Sequence, residues 1–143
     1  RGRALTKAPL VGLVNEGSAS ASEILSGAIQ DNNRGVVVGK KTFGKGLIQS
    51  VRGLSDGSGM TVTIAKYLTP SGKDIHKQGI TPDVNANLSK AQAQRLKFED
   101  LGTRNDPQYR VAESELAKLL RQSNAKPEVS FEGDVQLNVF SAN

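Results

Sequence analysis

The chain has 143 residues, 36% of them hydrophobic, a formal charge of +5, no cysteine and a single histidine, His76. That length holds one domain with a core. The missing cysteines exclude disulfides, thiolate metal sites and a cysteine nucleophile, and one histidine argues against a histidine metal site. The basic residues are scattered and aromatics make up 4%, so the charge reads as a solvated surface, with no platform for nucleic acid. No apolar run is long enough to span a membrane and no signal peptide is present. The opening on Arg1, with a strand beginning at Leu10, suggests a piece of a longer protein.

Leu10–Val14 (LVGLV) is a short apolar run that reads as a buried strand. Gly17–Ser22 (GSASAS) is small and flexible. Ser20–Asn32 reads as a helix whose apolar stripe is Ile24, Leu25, Ala28 and Ile29. Ser20 and Glu23 form an S-x-x-E capping box at its start; Asn32, Asn33 and Gly35 end it. Val36–Val38 is a second buried strand, so strand, helix and strand form a βαβ unit with parallel strands. Leu47–Leu54 and Met60–Leu68 read as a hairpin around Ser55–Gly59. Pro70–Gly72 and Gly79–Asp83 are turns. Ser89–Leu101 and Asp106–Arg121 read as helices, the former capped by Ser89 and the latter by Asp106, with Pro107 at its first position and Leu116, Leu119 and Leu120 facing inward. Val135–Phe140 reads as a strand or a poorly ordered tail.

Gly39, four residues, then Gly44 and Lys45 nearly spell a phosphate loop. Gly46 stands where a magnesium-binding hydroxyl belongs, however, and the following LIQSV is strand-like, so the phosphate reading fails twice. Lys45 fits better beside Ser20. Each lies just past the carboxyl end of a parallel strand, the edge where α/β sheets place their ligands. A hydroxyl at a helix start has free N–H groups nearby for an oxyanion, beginning with that of Ala21. A lysine serves as its base only as the neutral amine, which requires burial. Phe43, Leu47 and Ile48 are expected to supply that apolar setting, and Gln49, on the same face of an extended segment, an amide to hold the amine. Pattern alone leaves Ser18, Ser20 and Ser22 open as nucleophile. It also leaves open a plain helix cap at Ser20, and a Ser–His–Asp hydrolase built from Ser20, His76 and Asp74 or Asp83. Asp31, at the helix end, is expected to face water.

The segments NEGSASASEILSGAIQDN, VVVGKKTFGKGLIQSV and HKQGITPD closely resemble the carboxyl-terminal processing peptidases, the tail-specific serine proteases. The resemblance implies Ser20 as nucleophile, Lys45 as general base, Gln49 as the third member and the Ala21 N–H as an oxyanion donor, with no metal or cofactor. It implies an α/β fold of the crotonase or ClpP type, residues 1–122 forming the C-terminal part of the catalytic domain and 123–143 a tail. The cyanobacterial and chloroplast members are the most similar in wording. They imply a protein substrate with a C-terminal extension, the photosystem II reaction-centre precursor, and a site of action in the thylakoid lumen; other members act in the periplasm. Family members carry an upstream PDZ domain for the substrate tail, absent here, and a second oxyanion donor that would precede Arg1. Residues 1–143 alone are therefore expected to be inactive or nearly so. The rival from another class is a non-catalytic binding member of the same fold.

Overall fold

The computed structural model describes residues 6–123. Its elements are β1 (Val11–Val14), α1 (Ala21–Asp31), β2 (Val36–Gly39), β3 (Leu47–Gly53), β4 (Gly59–Lys66), β5 (Val84–Asn85), α2 (Lys90–Arg95), a 3-10 turn at Phe98–Asp100, and α3 (Pro107–Ser123). The expected strand between Val135 and Phe140 lies outside the described residues.

A parallel sheet of order β1-β2-β5 forms the centre, with Val11 opposite Val36, Val14 opposite Gly39, and Val38 opposite Val84. The βαβ unit is thus present, and α1 starts and stops where its capping residues place it, with Asn33 adopting φ 48° beyond the end. β5 is an addition. Its two residues, directly after the Gly79–Asp83 turn, are too few to show a strand period.

β2 is buried on both faces, as a central parallel strand should be. Val37 and Val38, which point to opposite faces, are both fully buried. Val38 packs with Ala86 and Ala112, flanked by Val11, Leu13, Val36, Val84 and Val111, so α3 covers one face. Its inward positions are therefore Gln108, Val111 and Ala112. The expected inward leucines lie one to three turns further on: Leu116 and Leu119 are half-buried and Leu120 is exposed. Asp106 does cap α3, its buried carboxylate accepting from Gln108 N–H at 2.8 Å and Gly102 N–H at 3.1 Å.

α1 also corrects the pattern. Its buried positions are Glu23, Ser26 and Gly27, while Leu25 is 63% exposed. Gly27 admits the 67–80 loop: a Cβ there would stand 2.7 Å from Thr69 Cγ2. The expected helix over Ser89–Leu101 is two pieces. Ser89 caps α2 as read, but the helix ends at Leu96, whose ψ of 116° is extended. With none of its residues buried, a six-residue helix has little to prolong it. β3 and β4 pair antiparallel as a hairpin, with a bulge that leaves Ile64 without a partner in the register.

Candidate active site

β1 and β2 end side by side, and the two loops that leave them stay joined. Lys40 N–H donates to the Val14 carbonyl and Phe43 N–H to the Ser18 carbonyl, each at 3.0 Å. Contact is close enough that Gly39, at φ 136°, has no room for a side chain: a Cβ would sit 1.9 Å from the Val14 oxygen. Past Gly39 the chain continues to Gly46 with no regular structure and then enters β3. A phosphate loop would enter a helix instead, so that reading is closed.

Three serines compete at the other loop, and their backbones separate them. Ser18 Oγ accepts from Asn15 N–H at 3.1 Å and shapes the turn. Ser22 lies inside α1. Ser20 alone of the three has φ 55° and ψ −113°. This lies outside even the left-handed helical region, where a residue with a Cβ is strained by about 1–3 kcal/mol. Ser20 and Glu23 stand in capping-box relation, yet the Ser20 side chain makes no capping hydrogen bond. A sharp strand-to-helix turn with a strained serine at its apex is the backbone geometry that presents a nucleophilic hydroxyl. The next N–H, that of Ala21, is the first of α1 and has no backbone partner among the described residues. It is free to donate to a developing oxyanion.

Glu23 joins the loops. It is fully buried, and its carboxylate accepts four hydrogen bonds. Oε1 takes Thr42 Oγ1 at 2.5 Å and Gly44 N–H at 2.6 Å. Oε2 takes Ser20 N–H at 2.9 Å and Lys45 N–H at 2.8 Å. The sequence showed Glu23 only as a helix-cap partner, and Thr42 went unnoticed. The legible signal was the S-x-x-E box overlapping a candidate nucleophile, which binds that turn to something.

On its other side the Gly44–Gly46 segment is pressed under the 67–80 loop. Lys77 N–H donates to the Gly44 carbonyl at 2.9 Å and Tyr67 N–H to the Gly46 carbonyl at 2.7 Å. A Cβ on Gly46 would meet His76 N at 2.7 Å. The Lys45 side chain, by contrast, is exposed, as is Phe43 at 68%, while Leu47 and Ile48 are half-buried. The expected apolar enclosure of the amine is therefore not built by these neighbours. No hydrogen bond joins Lys45 to Ser20 or Gln49 among the described residues. Gln49 is exposed and points its amide at Thr63 Oγ1, 3.5 Å away, on β4. Lys45 and Gly46 precede β3, which begins at Leu47, so the extended step from Lys45 to Gln49 on which the shared-face expectation rested is not formed.

The histidine alternative is not assembled. His76 Nδ1 is buried with no partner. Asp74 holds Lys66 at 2.8 Å and the backbone N–H of His76 at 2.8 Å, which with Lys66 first keeps its carboxyl below the ordinary range. Asp83 is taken by Val37 N–H and Gln30, so neither carboxylate orients the imidazole. Asp31 is exposed, as expected, and is also engaged. Its carboxylate is held low by the Thr69 hydroxyl first, then by the Ser71 amide at 2.8 Å, and it anchors the 69–71 turn to the end of α1.

Comparison with known proteins bears on the same residues. The profile of Peptidase family S41 matches residues 1–86. The carboxyl-terminal-processing protease of Synechocystis sp. is 54% identical over 111 residues, 78% of this chain and 25% of that protein. The chloroplastic C-terminal processing peptidase of Tetradesmus obliquus is 63% identical over 76 residues, 53% of this chain and 16% of that one. The solved structure of a photosystem II D1 C-terminal processing protease aligns over 76% of this chain and 26% of its own, with 51% identity and a TM-score of 0.54. The tricorn protease, at 22% identity and a TM-score of 0.57, shares the fold. This chain spans about a quarter of the length of the cyanobacterial relatives it matches.

Proposed function

Because this chain belongs to peptidase family S41, we propose that it carries the catalytic dyad of a serine endopeptidase that removes C-terminal extensions from proteins. Ser20 Oγ attacks the scissile carbonyl. Lys45, as the neutral amine, takes its proton and passes it to the leaving amine, Gln49 orients Lys45, and the Ala21 N–H holds one side of the oxyanion. The observation that carries this reading is the strained backbone of Ser20 at the first turn of α1, tied through Glu23 to the amide of Lys45. Strain of this kind persists only where surrounding bonds over-determine it, and it concentrates at reacting residues.

The open side chains of Lys45 and Gln49 fix what else the reaction needs. No hydrogen bond joins Lys45 to Ser20 among the described residues, so on this reading the dyad becomes competent when the two side chains are brought within hydrogen-bond reach and water leaves. The covering groups come from the substrate and from the remainder of the protein, for which the relatives have about three further quarters of chain. On this reading residues 1–122 form the C-terminal part of a crotonase- or ClpP-like catalytic domain. An upstream PDZ domain captures the substrate's tail, and the isolated chain turns over little or nothing. Kinship with cyanobacterial and chloroplastic processing proteases favours action outside the cytoplasm, in a thylakoid lumen or periplasm. The structural match to a photosystem II D1 C-terminal processing protease favours the precursor of a photosystem II reaction-centre protein as substrate.

Lys45→Ala in the complete protein is the test. Removal of a general base predicts a fall in kcat of about 10³-fold or more, with tailed substrates still bound. In this chain, where Lys45 is exposed, the same substitution leaves the melting temperature where it was. Turnover within about threefold of the parent would overturn the dyad, and a protein that binds tails but cuts none in either form would be the non-catalytic member of the fold.

A further inference from the structure

We propose that Glu23 and Thr42 form a positioning pair that sets the nucleophile turn against the lysine loop. The inference rests on the serine-peptidase reading above and adds two residues to it, neither of which touches the reacting atoms.

One atom, Glu23 Oε2, receives the amide of Ser20 at 2.9 Å and the amide of Lys45 at 2.8 Å. The separation of those two amides is therefore limited by two hydrogen bonds meeting at a point. The other oxygen fixes the approach of the loop through Gly44 N–H and Thr42 Oγ1. Thr42 is committed in direction: its oxygen accepts from Ile80 N–H at 2.7 Å, so its own proton goes to Glu23. Thr42 N–H in turn donates to the Ile80 carbonyl at 3.0 Å. A continuous hydrogen-bonded chain thus runs from Ser20 through Glu23 and Thr42 to Ile80, itself 1% exposed. All four groups on the carboxylate are donors, and only an acceptor-only side chain satisfies them together. Glutamine would turn an NH₂ toward two of them.

The work of this pair is geometric. The Ser20 N–H bond holds a φ that the residue would leave if released, and the Lys45 N–H bond brings the base's Cα to the same spot. A shift of about 1 Å between reacting groups costs on the order of 10²-fold in rate. A pair that places catalytic groups without touching substrate should lower kcat and leave KM alone.

The experiment uses the complete protein carrying Glu23→Gln, Thr42→Val or Thr42→Ser, with Lys45→Ala alongside, and measures kcat, KM and melting temperature on one tailed peptide. Glu23→Gln is expected to lower kcat about 100-fold with KM changed less than about threefold. Thr42→Val is expected to lose about tenfold in kcat, and Thr42→Ser, which keeps the hydroxyl, to restore it to within about threefold. Glu23→Gln at near-parent kcat, while Lys45→Ala is dead, would overturn this inference and leave the dyad standing. An active Lys45→Ala would overturn the dyad itself. Should Glu23→Gln fail to fold, the threonine pair decides: serine rescue supports the positioning role, and equal loss in valine and serine variants refutes it.

Discussion

Two stretches that follow one another directly, the Lys40–Gly46 loop and the β3–β4 hairpin, live in opposite surroundings. The loop has no regular structure, yet Thr42, Gly44 and Gly46 are buried and their backbone groups are hydrogen-bonded to α1 and to the 67–80 loop. The hairpin is regular, yet every residue of β4 is exposed, including Met60, Val62 and Ile64, and Val51 opposite Thr61 is 76% exposed. Lys45 and Gln49 straddle the boundary: Lys45 has its amide in the clamped region and its side chain in water. The lesson is that burial here does not follow secondary structure: the irregular loop is packed against α1 and the 67–80 loop, and the regular hairpin is exposed. The backbone of the candidate site is hydrogen-bonded inside this chain, while the side chains of Lys45 and Gln49 are exposed.

The sharpest way to exploit that difference is Ser20→Gly. It removes the hydroxyl and with it nearly all turnover of the complete protein, about 10⁴-fold or more. At the same time glycine adopts φ 55° without a Cβ penalty, so the fold should become more stable by about 1 kcal/mol after the entropy cost of glycine. Urea unfolding of the variant beside Ser20→Ala reads this directly. A glycine variant less stable than the alanine one would mean that Ser20 is not strained and that the turn is an ordinary cap.

Next in size is Gly39→Ala, which attacks the clamp at its root. The added methyl would lie 1.9 Å from the Val14 carbonyl oxygen at a φ of 136°, so β1 and β2 must part where both loops begin. A loss of about 3 kcal/mol or more is expected. Gly57, at the hairpin turn, has φ 85° and open space around it. Its alanine variant therefore isolates the backbone penalty without the collision, and should cost only about 1–2 kcal/mol. Equal losses at the two glycines would show that the loops are not pressed together.

These residues also mark what the sequence could and could not disclose. The βαβ unit, the hairpin, the start of α1 after Ser20 and the caps at Ser89 and Asp106 were legible because each depends on residues close together in the chain. The buried side of α1 was not, because its occupant is a carboxylate whose partners, Thr42, Gly44 and Lys45, arrive about twenty residues later. An apolar stripe was the natural expectation, and it pointed to Leu25, which faces water. The apolar enclosure expected for Lys45 is missing for a related reason. Apolar neighbours in sequence do not enclose a side chain unless the backbone turns them inward, and Phe43 turns out. Motif resemblance singles out Ser20 among three serines; its φ of 55° and ψ of −113° are a property that no residue pattern displays.

The smallest expected effect belongs to the hairpin, and it tests the comparison from the other side. Val51→Thr keeps the β-branched shape that strands favour and exchanges a methyl for a hydroxyl. With Val51 76% exposed, nothing is desolvated, and the unfolding free energy of this chain should change by no more than about 0.5 kcal/mol. The same substitution in the complete protein supplies the contrast. If a further part of that protein lies over the apolar residues of β3 and β4, the hydroxyl meets a dry surface there and costs about 1–3 kcal/mol. A loss in the complete protein and none in this chain would make the hairpin the seam along which the missing cover of Lys45 is attached. No loss in either would leave the hairpin in water, and the cover would have to arrive with the substrate.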